Sequence, residues 1–233
     1  MRDKLSVFRG ARLAFDLDGT LVDTAPDLVR ALNDAVVPDG LKPVSIQSVR
    51  AMVGRGARAL IVRAYQDADL ATPDDETIEQ RLSVFMDSYR SQLTAQSVVF
   101  DGVVEALEMF QSAGAELSVC TNKPSSLAVP VLEQVNLVQY FVRIIGPEDA
   151  PAKKPDGQHI ETAIGGASDA SSLMIGDSEP DVLAAKNAGA GSLIFTKGYS
   201  EKPAHTLGAD RLFEAWSDLP GLAAKLIEER QKL

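Results

Sequence analysis

Residues 12–24 read RLAFDLDGTLVDT, so a short apolar run ends in Asp16 and Asp18, followed at once by Gly19 and Thr20. Side chains two apart on a strand share a face, which predicts that the two carboxylates project together. In a dry site such a pair does not stay fully ionised unless a cation sits with it. Carboxylate oxygens are hard ligands that suit Mg²⁺, and a chain with one cysteine and two histidines lacks the donor sets that zinc prefers. The competing explanation is a solvated turn, because DLDGT is rich in turn residues.

Three further segments weaken the turn explanation. VCTNKP carries Thr121, Asn122 and Lys123, AKKPDG carries Lys153 and Lys154, and MIGDSEPD carries Asp177, Ser178 and Asp181. Cationic, hydroxyl, amide and further acidic groups thus stand just past other apolar runs, chemistry that matches the paired acids.

These residues need a scaffold that gathers strand ends. β-type runs recur as RLAF, ELSVCT, VRII, SLMIG and SLIF, beginning near 12, 116, 142, 172 and 192. Helix-period segments such as GVVEALEMFQSAG, SLAVPVLEQVNL and PDVLAAKNAG lie between most of them. The alternation predicts an α/β fold, a Rossmann-like parallel sheet with helices on both faces. Residues 24–97 break the pattern and read as about four helices, interrupted by VPDGLKP, GRG and LATPDD. The expected organisation is therefore a core of residues 1–23 and 98–233 with an all-helical cap of residues 24–97 inserted after the first strand. Ligands bind beyond the carboxyl ends of such strands, so the insert is placed to act as a lid.

Composition narrows the partners. The chain has 233 residues, 45% of them hydrophobic, and a net charge of −10, so nucleic-acid backbone is repelled and an anionic ligand must meet a locally positive pocket. No stretch approaches the roughly 20 apolar residues of a membrane span, and the N-terminal segment lacks the pattern of a secretory signal. A cytoplasmic protein is expected, with Cys120 a buried, unreactive side chain. Monomer and homodimer both remain open at this level.

The ordered set DLDGTLVDT, TNK, KKP and GDSEPD, with a helical insert after the first, resembles the haloacid dehalogenase superfamily, and within it the phosphoglycolate phosphatase-like branch. The resemblance spans nearly the whole chain. It implies that Asp16 is the nucleophile that becomes an aspartyl phosphate and that Asp18 protonates the leaving alcohol and then activates water. It further implies Mg²⁺ held by Asp16, the backbone carbonyl of Asp18 and Asp177, with Asp181 close behind. Thr121 and Asn122 would bind phosphoryl oxygens, and Lys154 would balance charge on the phosphate and Asp16. Gly19 and Thr20 support the loop.

The implied activity is hydrolysis of a small phosphorylated metabolite, with 2-phosphoglycolate the expected substrate. The alternatives are a phosphomutase of the β-phosphoglucomutase type, which commonly carries valine where this chain has Thr20, and another phosphohydrolase such as a pyrophosphatase or nucleotidase. Arg55, on a glycine-flanked loop of the insert, is the candidate clamp for a substrate carboxylate. Asp23 reads as a residue preceding a Thr24 helix cap. Strand alternation lets only one of Lys153 and Lys154 face the site. Gly157 stands where many relatives have proline, which predicts a looser loop after Lys154.

Overall fold

The computed structural model describes residues 2–54, 56–68 and 70–233, so Arg55 lies outside the described residues. Strands β1 (Arg12–Phe15), β4 (Glu116–Cys120), β5 (Arg143–Ile145), β6 (Ser172–Gly176), β7 (Gly191–Phe195) and β8 (Arg211–Phe213) form one sheet in the order β5-β4-β1-β6-β7-β8. Every pairing in it is parallel, with β1 between β4 and β6. The edge strand β8 adds to the runs expected from sequence.

Alternation along β1 divides the core. Leu13 and Phe15 join the larger apolar cluster, where Phe15 packs beside Phe110, Phe141 and Trp216. Ala14 faces the opposite layer with Cys120, Met174 and Ile160. Helices α7 (Gly157–Ile164) and α8 (Glu179–Ala188) pack over that second layer, while α5 (Val103–Ser112) and α9 (Leu219–Arg230) cover the first. Both faces are thus closed, as a parallel sheet requires. A last core helix, α6 (Ser125–Gln134), follows the loop after β4.

Between β2 (Val22–Asp23) and β3 (Val98–Val99) the chain forms α1 (Ala25–Val36), α2 (Ile46–Arg50), α3 (Ala57–Asp67) and α4 (Asp75–Ser91). Their entry and exit strands pair antiparallel, with Val22 opposite Val99. Asp27, in the first turn of α1, accepts from the backbone N–H of Gln96 at 3.0 Å and the hydroxyl of Ser97 at 2.7 Å. The two ends of the helical segment are therefore stitched together beside β1. No described helix is long and apolar enough to cross a membrane.

Candidate active site

The loops beyond the carboxyl ends of β1, β4, β6 and β7 converge on one buried cluster. Alternation does not carry past Asp16, however. The chain turns there, with the N–H groups of Thr20, Leu21 and Val22 all directed to the Leu17 carbonyl. Asp18 nonetheless lines the same cavity as Asp16. Its carboxylate accepts from Thr24 Oγ1 at 2.6 Å and from Lys123 Nζ at 3.0 and 3.3 Å.

The acids that do cluster are Asp16, Asp177 and Asp181, each offering an oxygen within 4.8 Å of the others. Lys154 Nζ lies 3.0 Å from Asp16 Oδ1 and 2.7 Å from Asp181 Oδ1. Burial pushes the Asp16 carboxyl up to about 6 despite the opposing pull of Lys154. Burial, together with Asp181 and Asp16, likewise raises Asp177 well above the ordinary range. Three carboxylates against one ammonium leave two negative charges in a closed site, which a divalent cation held by hard oxygens would balance.

Asp16 has two unlike oxygens. Oδ1 accepts from the Leu17 N–H at 2.8 Å and from Lys154, whereas Oδ2 has no hydrogen-bond partner among the described residues. Asp181 is fully engaged: Oδ2 takes the N–H groups of Asp177 and Ser178 and the Ser178 hydroxyl, the last at 2.8 Å. Its position at the start of α8 and its pairing with Lys154 make it a brace for the lysine. Thr20 donates to Asp177 Oδ1 at 2.9 Å, and the Tyr199 N–H reaches Asp177 Oδ2 at 2.5 Å. Gly19 has φ +85°, and a Cβ there would stand 2.5 Å from Asp177 Oδ2 and 2.7 Å from the Tyr199 ring.

Thr121 and Asn122 follow β4. Thr121 is buried, and its hydroxyl oxygen accepts the Lys123 N–H at 3.2 Å. The Asn122 amide donates to the carbonyls of Gly54 and Lys154 at 3.2 and 3.1 Å, so it also ties the helical segment to the core. Lys154 is fixed from behind, because its N–H donates to His159 Nδ1 at 3.0 Å.

The structure revises several expectations around the cluster. Of the adjacent lysines it is Lys154 that is buried among the acids, as expected, although the pair lies on a loop and not a strand, and Lys153 is exposed at the cavity edge. Gly157 opens α7, and a Cβ there would stand 2.6 Å from the backbone nitrogen of Ala188, so it permits tight packing instead of loosening the loop. Thr24 stands at the N-cap of α1 without capping it, since its hydroxyl goes to Asp18. The Ala25 N–H is met by the Tyr199 hydroxyl at 2.9 Å. Asp23 pairs with Arg50 at 2.5 Å and accepts from the same tyrosine hydroxyl. Cys120 is buried, which pushes its thiol up to about 12.

Tyr199 and His159 carry no motif in the sequence that marks them for the site. The TNK motif contains Lys123, yet nothing local reveals that it pairs with Asp18 and with Tyr89, whose hydroxyl lies 2.7 Å away. Above the cluster a cavity of about 440 Å³ opens between the core loops and α1, α3 and α4, with Asp16, Asp18, Thr121, Asn122 and Asp177 on its floor.

The family model of haloacid dehalogenase-like hydrolases matches residues 13–195. A phosphoglycolate phosphatase of Caulobacter vibrioides is 44% identical over 220 residues, covering 94% of this chain and 92% of that protein. One from Agrobacterium fabrum is 39% identical, covering 92% and 93% respectively. The crystal structure of a "predicted phosphoglycolate phosphatase" from Haemophilus somnus superposes with a TM-score of 0.84 at 28% identity, covering 91% of this chain and 97% of that one. The chain belongs to the haloacid dehalogenase-like hydrolase family, on its phosphoglycolate phosphatase-like branch.

Proposed function

We propose that the protein is a cytoplasmic, Mg²⁺-dependent phosphatase that hydrolyses 2-phosphoglycolate through a phosphorylated Asp16. The reaction class is phosphoric monoester hydrolysis. The observation that carries the mechanism is the inequality of the Asp16 oxygens: Oδ1 is pinned by Leu17 and Lys154, while Oδ2 has no partner among the described residues and the residue borders the cavity. Oδ2 attacks phosphorus, the bond to the ester oxygen breaks, and Asp18 gives the departing alkoxide its proton. Water then attacks the acyl phosphate as Asp18 takes its proton, which releases inorganic phosphate and restores Asp16. Thr121, Asn122 and Lys154 hold the phosphoryl oxygens.

Asp16, Asp177 and the Asp18 backbone carbonyl would hold Mg²⁺, with Gly19 and Thr20 shaping that loop and Asp181 behind it. When bound, the ion supplies positive charge against the clustered acids and the phosphoryl group. Residues 24–97 serve as the cap over the core of residues 1–23 and 98–233, and the stitched entry and exit strands form its hinge. The chemistry needs no nucleic-acid or membrane partner. Lys153, exposed at the cavity edge, is the described cation free to meet the substrate carboxylate. Support for this substrate comes from the phosphoglycolate phosphatases that share 44% and 39% identity with the chain. The test is phosphate release from 2-phosphoglycolate with and without Mg²⁺, run beside a sugar 1-phosphate primed with trace bisphosphate. Phosphate from the first and no isomerised sugar from the second is expected; isomerised sugar identifies a mutase instead.

A further inference from the structure

The cavity over Asp16 does not match the chemistry of 2-phosphoglycolate alone. Once the phosphoryl group lies among Asp16, Thr121 and Lys154, only a glycolate remains to be housed, yet the space is about 440 Å³. That volume falls in the range of pockets that enclose much larger organic ligands. Its upper walls are Leu28 from α1, Leu60 from α3, Leu82, Phe85 and Met86 from α4, and Leu127 from α6.

The α4 contribution follows helical spacing, since Leu82, Phe85, Met86 and Tyr89 form one stripe at i, i+3, i+4 and i+7. Such a stripe normally disappears against neighbouring helices. Here Leu82 and Met86 stay half-buried and line the cavity, while Phe85 and Tyr89 anchor the stripe in the core. Of the described cations that line the cavity, Lys153 at its edge is left for a substrate carboxylate, and the other two are already engaged. Arg58 is paired with Asp75 and Glu79, and Lys123 is held by Asp18 and Tyr89. The α4 wall, apolar along Leu82, Phe85 and Met86, contributes little to a carboxylate and much to a hydrocarbon.

We propose that the site also takes phosphomonoesters whose alcohol carries an alkyl chain, seated against the α4 stripe. The proposal rests on the phosphatase reading above and extends its substrate class. The ester is cleaved as before: the phosphorus–oxygen bond breaks, the alcohol leaves with the proton from Asp18, and water supplies the hydroxyl that ends on phosphate.

The experiment measures kcat/KM with Mg²⁺ for n-alkyl phosphates from ethyl to hexyl, with 2-phosphoglycolate in parallel. Simple n-alkanols leave with nearly equal ease, so a trend with length reports burial and not bond cleavage. A rise of about fourfold per methylene is expected until the cavity is filled. In Met86→Gln the ratio of hexyl phosphate to 2-phosphoglycolate activity falls about tenfold. A flat or falling series, with 2-phosphoglycolate still hydrolysed, overturns the proposal and leaves the phosphatase reading standing. No phosphate from any ester overturns both.

Discussion

Lys123 Nζ lies 3.0 Å from Asp18 Oδ1, and both side chains are nearly closed off from water. Burial alone would lower the lysine, but Asp18 and Tyr89 hold it above the ordinary range. The ammonium thus links the proposed acid-base residue to α4, one of the helices over the cavity. In Lys123→Met, Asp18 loses a charge-assisted bond of about 1.5–3 kcal/mol. Turnover of 2-phosphoglycolate is expected to drop roughly 10- to 100-fold. The drop for 4-nitrophenyl phosphate, whose leaving group needs no acid, should be much smaller. Equal losses on both substrates would remove Lys123 from the acid-base account.

Gly19 provides a second test. A methyl group there meets Asp177 and the Tyr199 ring within 2.7 Å, on backbone with φ +85°. Neither neighbour can yield without moving a cluster acid. Gly19→Ala is expected to lower kcat about 100-fold, the scale of a displacement of about 1 Å in a catalytic group. Steady-state kinetics beside a melting curve distinguishes this from global unfolding, since the variant should retain a cooperative transition.

Tyr199 joins the cluster to the base of the helical segment. Its N–H holds Asp177, while its hydroxyl accepts from Ala25 and donates to Asp23. Tyr199→Phe deletes only the hydroxyl bonds and should destabilise the fold by about 1.5–3 kcal/mol, most of it from the bond to the Asp23 carboxylate. A denaturant midpoint that decreases with an unchanged m-value is the expected signature.

The pH dependence of stability has a named contributor in His159. Its Nδ1 accepts the Lys154 N–H and its Nε2 lies 3.2 Å from the Gly146 carbonyl. Burial, then repulsion from Lys154, lowers the imidazole from 6.5 to about 4, while Asp149 works weakly the other way. The unfolded chain therefore binds this proton first as pH falls. The contribution of neutral His159 is complete above about pH 6.5 and is lost between there and about pH 4. His159→Asn, which keeps an acceptor near Nδ1, should show a shallower fall across that window when urea midpoints are compared pH by pH. Parallel curves would contradict the assignment.

Some of this architecture is legible in the chain and some is not. The runs RLAF, ELSVCT, SLMIG and SLIF are apolar because both faces of a parallel sheet are covered, and that covering makes them recognisable. Asp16 and Asp177 could be placed because each stands just past such a run. Asp18 reaches the same cavity, but by way of the turn that starts at Leu17 and not by strand alternation. Lys123 pairs with an acid 105 positions earlier and Tyr199 with one 176 positions earlier, and neither partnership leaves a local signature. The short strand β8 escapes notice because its three residues alternate too briefly to stand out from a loop.

During turnover Asp16 is expected to carry the phosphoryl group. Acid-quenching the enzyme during turnover of 2-phosphoglycolate with Mg²⁺, followed by peptide mass spectrometry, tests it most directly. A phosphoryl adduct is expected on the peptide containing Asp16, with no adduct and no phosphate release in Asp16→Asn. Undiminished release of phosphate by Asp16→Asn would contradict it.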